Sequence, residues 1–310
     1  MVTRPLFALS VVATAVLAIT GCKPNFGTPT SLVNDERILA VRATPPDLVP
    51  GNTAAFDALV VGPSGTEAMP NLDWALCTTP KPLDENNIVS SACLGSGDGV
   101  VDVGMGPTVM AKIPANACQL FGPDPPPQMV GQPPLRPRDP DITGGYYQPL
   151  RLSEGSVTGF ALERIQCELT NAGADIAVQF GMTYVANTNP MLEPMTATVG
   201  GATADITALP AGKSIDFTVG WPASSVESFP VFDETAGTLV THRESMRVSW
   251  FATDGAFVHD VTGRDESDPA TSTDNSWTAP TTPGPVHLWL VLRDSRGGID
   301  YAAYELTVTP

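Results

Sequence analysis

The sequence is poor in charge and in the residues that most often carry out catalysis. Only 16% of its 310 residues are charged, and histidine occurs at just three positions, 242, 259 and 287. It contains no HExxH pair, no GxSxG elbow and no GxxxxGK[ST] phosphate loop, the motifs of zinc proteases, α/β-hydrolases and nucleotide-binding enzymes. The glycine-rich stretch 95–99 has neither the spacing nor the lysine of a phosphate loop. We therefore predict a protein that is not an enzyme and has no cofactor.

Basic residues are also scarce. Sixteen Lys and Arg stand against 33 Asp and Glu, which gives a net charge of -17 at pH 7. Such a charge repels nucleic acid, whose binding proteins carry basic stripes, so nucleic acid is excluded as a partner. By contrast, the sequence is rich in proline (31) and glycine (28). This composition favours strands joined by turns over helices.

The start of the chain has an apolar run too short to cross a membrane. Residues 6–19 carry no charge, but a membrane-spanning helix needs roughly 20 residues. Arg4 precedes the run, and small residues follow it. A basic residue, a short apolar stretch and small residues together are typical of a secretory signal. We expect residues 1–21 to be this signal.

The end of that signal, Ile19-Thr20-Gly21-Cys22, resembles the lipobox of bacterial lipoproteins. The resemblance implies cleavage before Cys22 and acyl chains on its sulfur and on the new amino group. Two or more acyl chains hold a protein stably at a membrane, so the membrane is one expected partner. Lys23 in place of Asp implies the outer membrane, by the sorting rule of enteric bacteria. The alternative is an ordinary signal with Cys22 incidental. Residues 22–35 are expected to form a flexible tether.

Four further cysteines remain in this exported chain, and disulfides are their default state in an oxidising compartment. Three pairings are open. We favour Cys77 with Cys93 and Cys118 with Cys167, because these pairs close the shorter loops. Zinc is the alternative, but the chain has no CxxC motif and no histidine near these cysteines.

Several segments alternate apolar and polar residues, the period of a half-buried strand. They include 72–77, 215–221, 246–251 and 286–293. Residues 175–185 fit both the helical and the alternating pattern, and we predict a strand there because alternation explains more residues. Residues 120–149 contain nine prolines, including Pro149, and are expected to form an extended loop outside any sheet.

One pattern occurs twice in the chain: a Pro-Gly turn, an alternating strand, and a strand with a central tryptophan, which is Trp74 and again Trp250. This pattern resembles the B and C strands of bacterial immunoglobulin-like modules. Residues 277–308 are similar to the last strands of PKD-like domains. The resemblance implies a mainly β protein with two immunoglobulin-like β-sandwich domains in tandem. We expect the first over 36–190, with the Pro-rich loop 120–149 inserted, and the second over 191–310. The second has no cysteine, so it lacks the inter-sheet disulfide of antibody domains.

Two features are candidates for ligand binding. Asp265, Glu266, Asp268 and Asp274 fall in one predicted loop, and carboxylate oxygens suit Ca²⁺. A solvated acidic loop is the alternative. Trp289 is out of phase with the aliphatic residues of its strand, so it is either an exposed ligand contact or packed against the neighbouring domain.

Together these features predict a non-enzymatic lipoprotein of the cell envelope that acts as a binding or structural module. One alternative is carbohydrate binding or adhesion by the second sandwich. Another is an accessory subunit of an envelope or secretion complex that docks through the Pro-rich loop. That loop has a simpler interpretation as a spacer. A glycan or an envelope protein is therefore the expected ligand.

Overall fold

The computed structural model describes residues 29–82, 84–123, 142–169 and 171–310. The predicted signal, Cys22 and most of the Pro-rich loop lie outside the described residues, and the domain boundaries stay predictions. Across the described ranges, no helix has the length and apolar character needed to span a bilayer.

The first part of the chain forms two facing sheets, the N-terminal sandwich. Its outer sheet has the strand order β2-β9-β8-β5-β6, and its inner sheet has the order β1-β3-β4 with β7 also paired to β3. A short helix, α1 (Ala117–Phe121), precedes β8. The strands are β1 (Arg37–Thr44), β2 (Asp47–Leu48), β3 (Thr53–Gly62), β4 (Gly65–Thr66), β5 (Asp73–Cys77), β6 (Val100–Met105), β7 (Thr108–Lys112), β8 (Gly145–Glu154) and β9 (Val157–Gln166).

The second part forms the C-terminal sandwich. Its outer sheet has the order β11-β10-β13-β19-β17, its inner sheet has the order β12-β21-β20-β16-β18, and β14 and β15 make a separate hairpin. The strands are β10 (Thr196–Val199), β11 (Ala202–Ala204), β12 (Leu209–Pro210), β13 (Ser214–Gly220), β14 (Ser228–Asp233), β15 (Thr238–Arg243), β16 (Met246–Ala252), β17 (Ala256–Phe257), β18 (Val261–Arg264), β19 (Ser272–Thr278), β20 (Gly284–Asp294) and β21 (Ile299–Thr309).

Each sandwich has its own apolar core, which confirms the predicted fold class. The C-terminal core contains 19 buried residues, among them Trp221, Trp250 and Trp277. The N-terminal core contains 15, with Trp74 as its one tryptophan. Burial of these side chains removes their apolar surface from water, which is the main force that stabilises both sandwiches.

Strand β20 is buried on both faces. Leu288 and Leu290 point into the C-terminal core. Trp289 and Val291, which alternate with them, belong to a third apolar cluster that also contains residues of the N-terminal sandwich. Because side chains alternate across a strand, β20 joins two cores at once.

Strand β3 of the N-terminal sandwich is also buried on both faces. Phe56 and Val60 lie in the N-terminal core, whereas Leu59 and Val61 pack in the third cluster. The two inner sheets therefore pack against each other, and the molecule is a stack of four sheets: outer, inner, inner, outer. We call the third cluster the shared layer; its buried members are Val33, Leu39, Ala40, Leu59, Val61, Trp289 and Val291.

The strand predicted over 175–185 is wrong, because residues Ala174–Thr183 form a helix, α2. Gly173 lies at its N-cap, outside the helical turns, where glycine is well accepted. Phe180 is buried in a small cluster with residues of the β14–β15 hairpin. Val178 and Met182 are exposed, so their alternation with polar residues marks no buried sheet face.

The Pro-rich loop is shorter than the predicted 120–149, because α1 reaches residue 121 and β8 begins at residue 145. Pro149 lies within β8, contrary to the prediction. The β5–β8 register, continued by one step, places it opposite Cys77. Proline has no N–H to donate there, and the side-chain amide of Gln148 donates to the Cys77 carbonyl instead. A neighbouring side chain thus replaces the missing strand donor.

Candidate functional site

Both predicted disulfides are formed. Cys77 pairs with Cys93 and Cys118 with Cys167, with Cα–Cα distances of 5.4 and 5.8 Å. The first holds the loop after β5 against the outer sheet, where Phe160 packs beside it. The second ties α1 to the residue that follows β9.

Trp289 is not an exposed ligand contact, and that alternative is wrong. Its side chain is only 1% exposed and lies in the shared layer. Its indole Nε1 donates a hydrogen bond to Thr66 Oγ1 of the N-terminal sandwich at 2.7 Å. The other alternative, packing against the neighbouring domain, is the one that the structure adopts.

The four acidic residues of the predicted calcium loop do not come together. Asp265, Glu266 and Asp268 follow β18 in the inner sheet, whereas Asp274 lies on β19 in the outer sheet. Three of them have other partners: Glu266 contacts His242 Nδ1 at 2.9 Å, Asp268 pairs with Arg264 at 3.2 Å, and Asp274 accepts from Thr218 at 2.7 Å.

Another acidic group does form. Within the described ranges, Glu36, Glu67 and Glu154 are the one set of three possible metal-binding side chains whose ligand atoms lie within 4.8 Å of one another. Slight desolvation and the charges of the Glu154 and Glu36 carboxylates raise the pKa of Glu67. Glu36 and Glu67 are exposed, as solvated surface acids commonly are, so we assign this group no ligand.

The rim of the shared layer is closed by charged and aromatic side chains from both sandwiches. Arg42 of β1 contacts Asp57 at 3.2 Å and Asp300 of β21 at 2.9 Å, and its guanidinium lies 4.7 Å from the Tyr301 ring centre. The Tyr301 hydroxyl donates to Asp57 Oδ1 at 2.6 Å. Burial and the Asp57 carboxylate raise the pKa of Tyr301. These groups fix the two inner sheets in register.

A second polar network lies deeper at the junction of the sandwiches. Arg296, in the β20–β21 turn, is buried; its Nε donates to Glu244 at 2.7 Å and its Nη2 to Glu227 at 2.6 Å. Burial and the Asp294 charge raise the pKa of Glu244 to about 7, although Arg296 acts in the opposite direction. A buried charge of this kind is stable only with its partners in place.

The connection between the sandwiches is bound to both. The Asn187 backbone N–H donates to Asp47 of β2 at 3.1 Å, and its side chain donates to Asp294 at 3.2 Å. The Asn189 side chain accepts from the backbone N–H of Ile299 at 2.9 Å. The segment that joins the sandwiches is therefore an ordered part of their interface.

A cleft of about 400 Å³ opens between β1 and β9, beside the β20–β21 turn. At its wall lies Glu163, which is 4% exposed and whose Oε1 has no hydrogen-bond partner among the described residues. Burial and the Asp47 charge raise the pKa of Glu163 to about 9. The residues that line this lateral cleft are Ile38, Leu39, Ala40, Val41, Ala43, Phe56, Gly159, Phe160, Ala161, Leu162, Glu163, Arg293, Gly297 and Ile299.

Sequence reasoning missed Glu163. The signal was present in the alternation of β9, because Ala161 and Ile165 are apolar and share a face with Glu163. An acid in phase with core residues is an unusual placement, because burial of a carboxyl costs free energy unless it has a hydrogen-bond or ionic partner. Residues 160–169 as a whole mix apolar and polar residues without a regular period, so the alternation of these three positions was not recognised.

Comparison with known proteins gives only distant likenesses. No protein-family model and no curated protein matches the sequence. Among solved structures, the adhesin InvE of Yersinia pseudotuberculosis matches at 10% identity and a TM-score of 0.24, over 87% of this chain and 58% of InvE. A chimeric titin Z1Z2 tandem matches at 12% identity and a TM-score of 0.22, over 89% of this chain and all of that one. At TM-scores this low, the structural similarity does not support a conclusion about function.

Proposed function

We propose that the chain is a non-enzymatic lipoprotein of the bacterial cell envelope that acts as a binding or structural module. The observation that supports this most is the four-sheet stack. Its shared layer, its charged rim and its bound connection hold the two sandwiches in one fixed arrangement. A molecule of this kind presents surfaces at constant spacing, which suits a scaffold or a binding module.

Attachment to a membrane is supported by the lipobox-like sequence that ends at Cys22. The two disulfides fit an oxidising compartment outside the cytoplasm. Val33, 11 residues after Cys22, is buried in the shared layer, and Ser31 and Ala252 are joined by a backbone hydrogen bond. Nine residues, 22–30, precede Ser31, so the acyl chains would lie within about 32 Å of this hydrogen bond. The module would lie close to the bilayer.

The acylation is tested by Cys22→Ser, with Thr20→Ser as the matched control inside the signal. We expect the wild type and the control to incorporate a palmitate analogue, to enter the detergent phase and to show the acyl mass by mass spectrometry. Cys22→Ser should do none of these. Equal labelling of all three proteins, or an unmodified thiol on the exported wild type, would refute the proposal.

Sorting to the outer membrane is tested by Lys23→Asp in an enteric host. We expect the wild type in the outer-membrane fraction and the variant in the inner-membrane fraction. Protease treatment of intact cells, followed by detection of the C-terminal sandwich, then reports which side of the membrane it faces. An unchanged distribution for Lys23→Asp would contradict sorting by this position.

An envelope protein is the partner class that we propose, since the carbohydrate alternative has lost its aromatic contact at Trp289. Leu162 is exposed on the outer face of the N-terminal outer sheet, and Ile88 of the loop after β5 is exposed beside the same groove. A photo-crosslinker placed at Ile88 should capture a discrete protein in intact cells. One at Thr203, on the outer sheet of the C-terminal sandwich, is the control; equal capture from both would oppose a specific site.

A further inference from the structure

We propose that the lateral cleft between β1 and β9 binds a small organic cation, with its ammonium group on Glu163 and a short apolar body along β9. This inference goes beyond the proposed function and does not depend on acylation. It rests on the orientation of one carboxyl group, on the acceptors and charges around it, and on the shape of the cleft.

Glu163 faces the interior of the N-terminal sandwich. It shares a face of β9 with Ile165, a member of the core. Gln148 lies directly opposite on β8, and its amide oxygen is likewise buried with no hydrogen-bond partner among the described residues. These two side-chain oxygens therefore depend on the one proton of the neutral Glu163 carboxyl, or on a donor from a bound ligand. An ammonium group carries three N–H donors and no acceptor, so it can satisfy both oxygens.

The charges around Glu163 are unbalanced whenever its carboxyl is ionised. Asp47 of β2 and Glu163 are both buried carboxyls, while Arg164 is the guanidinium beside them, 3.6 Å from Asp47. Asp47 also accepts from the Tyr184 hydroxyl at 2.6 Å and from the Asn187 N–H. Arg164 thus pairs with Asp47, and the described contacts give Glu163 no cationic partner. A bound cation would balance the charge of the Glu163 carboxylate.

The cleft has the size and the walls for a short apolar body. Its volume, about 400 Å³, lies within the usual range of ligand pockets. Ile38, Val41 and Phe56 form apolar walls, and the small side chain of Ala161 leaves room along β9.

The described residues that line the cleft include two charged ones, Glu163 and Arg293. Arg293 belongs to the C-terminal sandwich. Its Nη2 donates to the Leu39 carbonyl at 2.9 Å and its Nη1 contacts Ser249 Oγ at 3.4 Å. Its positive charge repels an ammonium group, so it favours placement of the cation at the Glu163 end and of the apolar body toward Arg293.

Binding is a proton-coupled equilibrium with no covalent step. Burial and Asp47 raise the pKa of Glu163 to about 9, so without a cation the carboxyl keeps its proton at pH 7.5. When the ammonium group binds, the carboxyl becomes a carboxylate and its proton passes to the buffer. About one proton should therefore be released for each cation bound. Asp47, Arg164 and Arg293 are the charged groups facing this equilibrium, from β2, β9 and β20.

The test is calorimetric titration of the full exported chain at pH 7.5 with n-pentylammonium, n-pentanol and n-pentanoate. We expect the wild type to bind the amine at least about tenfold more tightly than the alcohol, and the acid most weakly. Titration in two buffers of different ionisation enthalpy should show the released proton. Equal affinities for amine and alcohol, no binding of any probe, or no proton release would overturn the proposal.

Glu163→Gln should weaken amine binding by about 10- to 100-fold, the loss expected for a hydrogen bond to a charged group, and leave pentanol binding unchanged.

Ala161→Leu should abolish binding of both probes by filling the cleft. Glu154→Gln, which removes one charge at the separate acidic group, is the matched control and should change nothing. An equal loss in Glu154→Gln would mean that the net charge, and not the cleft, attracts the amine. Near-ultraviolet circular dichroism checks that each variant is folded.

Discussion

The two sandwiches have the same architecture but are stabilised differently. The C-terminal sandwich has the larger apolar core, with three tryptophans and no cysteine. The N-terminal sandwich has a smaller core, two disulfides, and the polar side chains of Gln148 and Glu163 turned inward. Where apolar packing is weaker, covalent cross-links limit the entropy of the unfolded chain. A sandwich that contains a buried acid therefore needs support from outside its own core.

Part of that support is the shared layer, and Trp289→Ala should remove much of it. Truncation of a buried tryptophan costs about 3–5 kcal/mol, and the hydrogen bond to Thr66 is also lost. Differential scanning calorimetry of the wild type should show one cooperative transition. The variant should show two, with the N-terminal sandwich unfolding first.

Met110→Ala is a suitable control for this variant, because Met110 is 65% exposed on β7. It should leave the single transition in place. If Trp289→Ala also unfolds in one step with an unchanged midpoint, the two sandwiches are not coupled through the shared layer, and the contrast between them loses its explanation.

The disulfides should matter to one sandwich alone. The double variant Cys118→Ala/Cys167→Ala opens a link across 49 residues, and we expect a loss of about 4 kcal/mol. Hydrogen exchange followed by mass spectrometry should show faster exchange in β8 and β9, with β13 and β20 unchanged. Equal acceleration in both sandwiches would mean that the cross-link stabilises the whole stack.

The buried acid gives the smallest of the three effects, and its sign depends on pH. The pKa of Glu163 is about 9 in the folded chain, above its ordinary value of 4.5. Its stabilising protonated form is complete below pH 4.5, and this contribution is lost as the pH rises toward 9. Glu163→Gln removes this dependence. It should match the wild type near pH 4.5 and be about 3 kcal/mol more stable at pH 7.

Urea unfolding across pH 4.5–8 measures that difference. Glu244, whose pKa is raised to about 7, contributes a slope of the same sign, but this slope is common to both proteins. A constant difference between the wild type and Glu163→Gln at all pH values would show that the carboxyl is not held protonated by its surroundings.

Much of the C-terminal sandwich could be predicted from the sequence. The alternation over 286–293 and the turn at 294–298 gave β20, the hairpin and its partner strand, because a half-buried strand has a strict period of two. The same alternation placed Trp289 out of phase. The alternation did not show what covers Trp289, because the pattern of a strand does not tell whether its second face meets water or another sheet.

The rest depended on contacts far apart in the chain. Residues 175–185 fit both the helical and the alternating pattern. In the helix that forms, Phe180 packs on the β14–β15 hairpin, more than 50 residues later in the chain. Glu163 shows the same limit, because its burial follows from β1 and β2 as well as from its own strand. The acidic residues of 265–274 lie close in sequence, yet three lie in the loop after β18 and the fourth lies on β19 of the other sheet.

The burial of β3 and β20 on both faces also bears on how this protein can change during evolution. In a strand with one wet face, every second position can vary without touching a core. Here a change at either kind of position disturbs one of two interiors. Homologous sequences should therefore differ least in these two strands and most in the loops and outer sheets, so that new binding surfaces arise at the periphery while the middle of the stack is preserved.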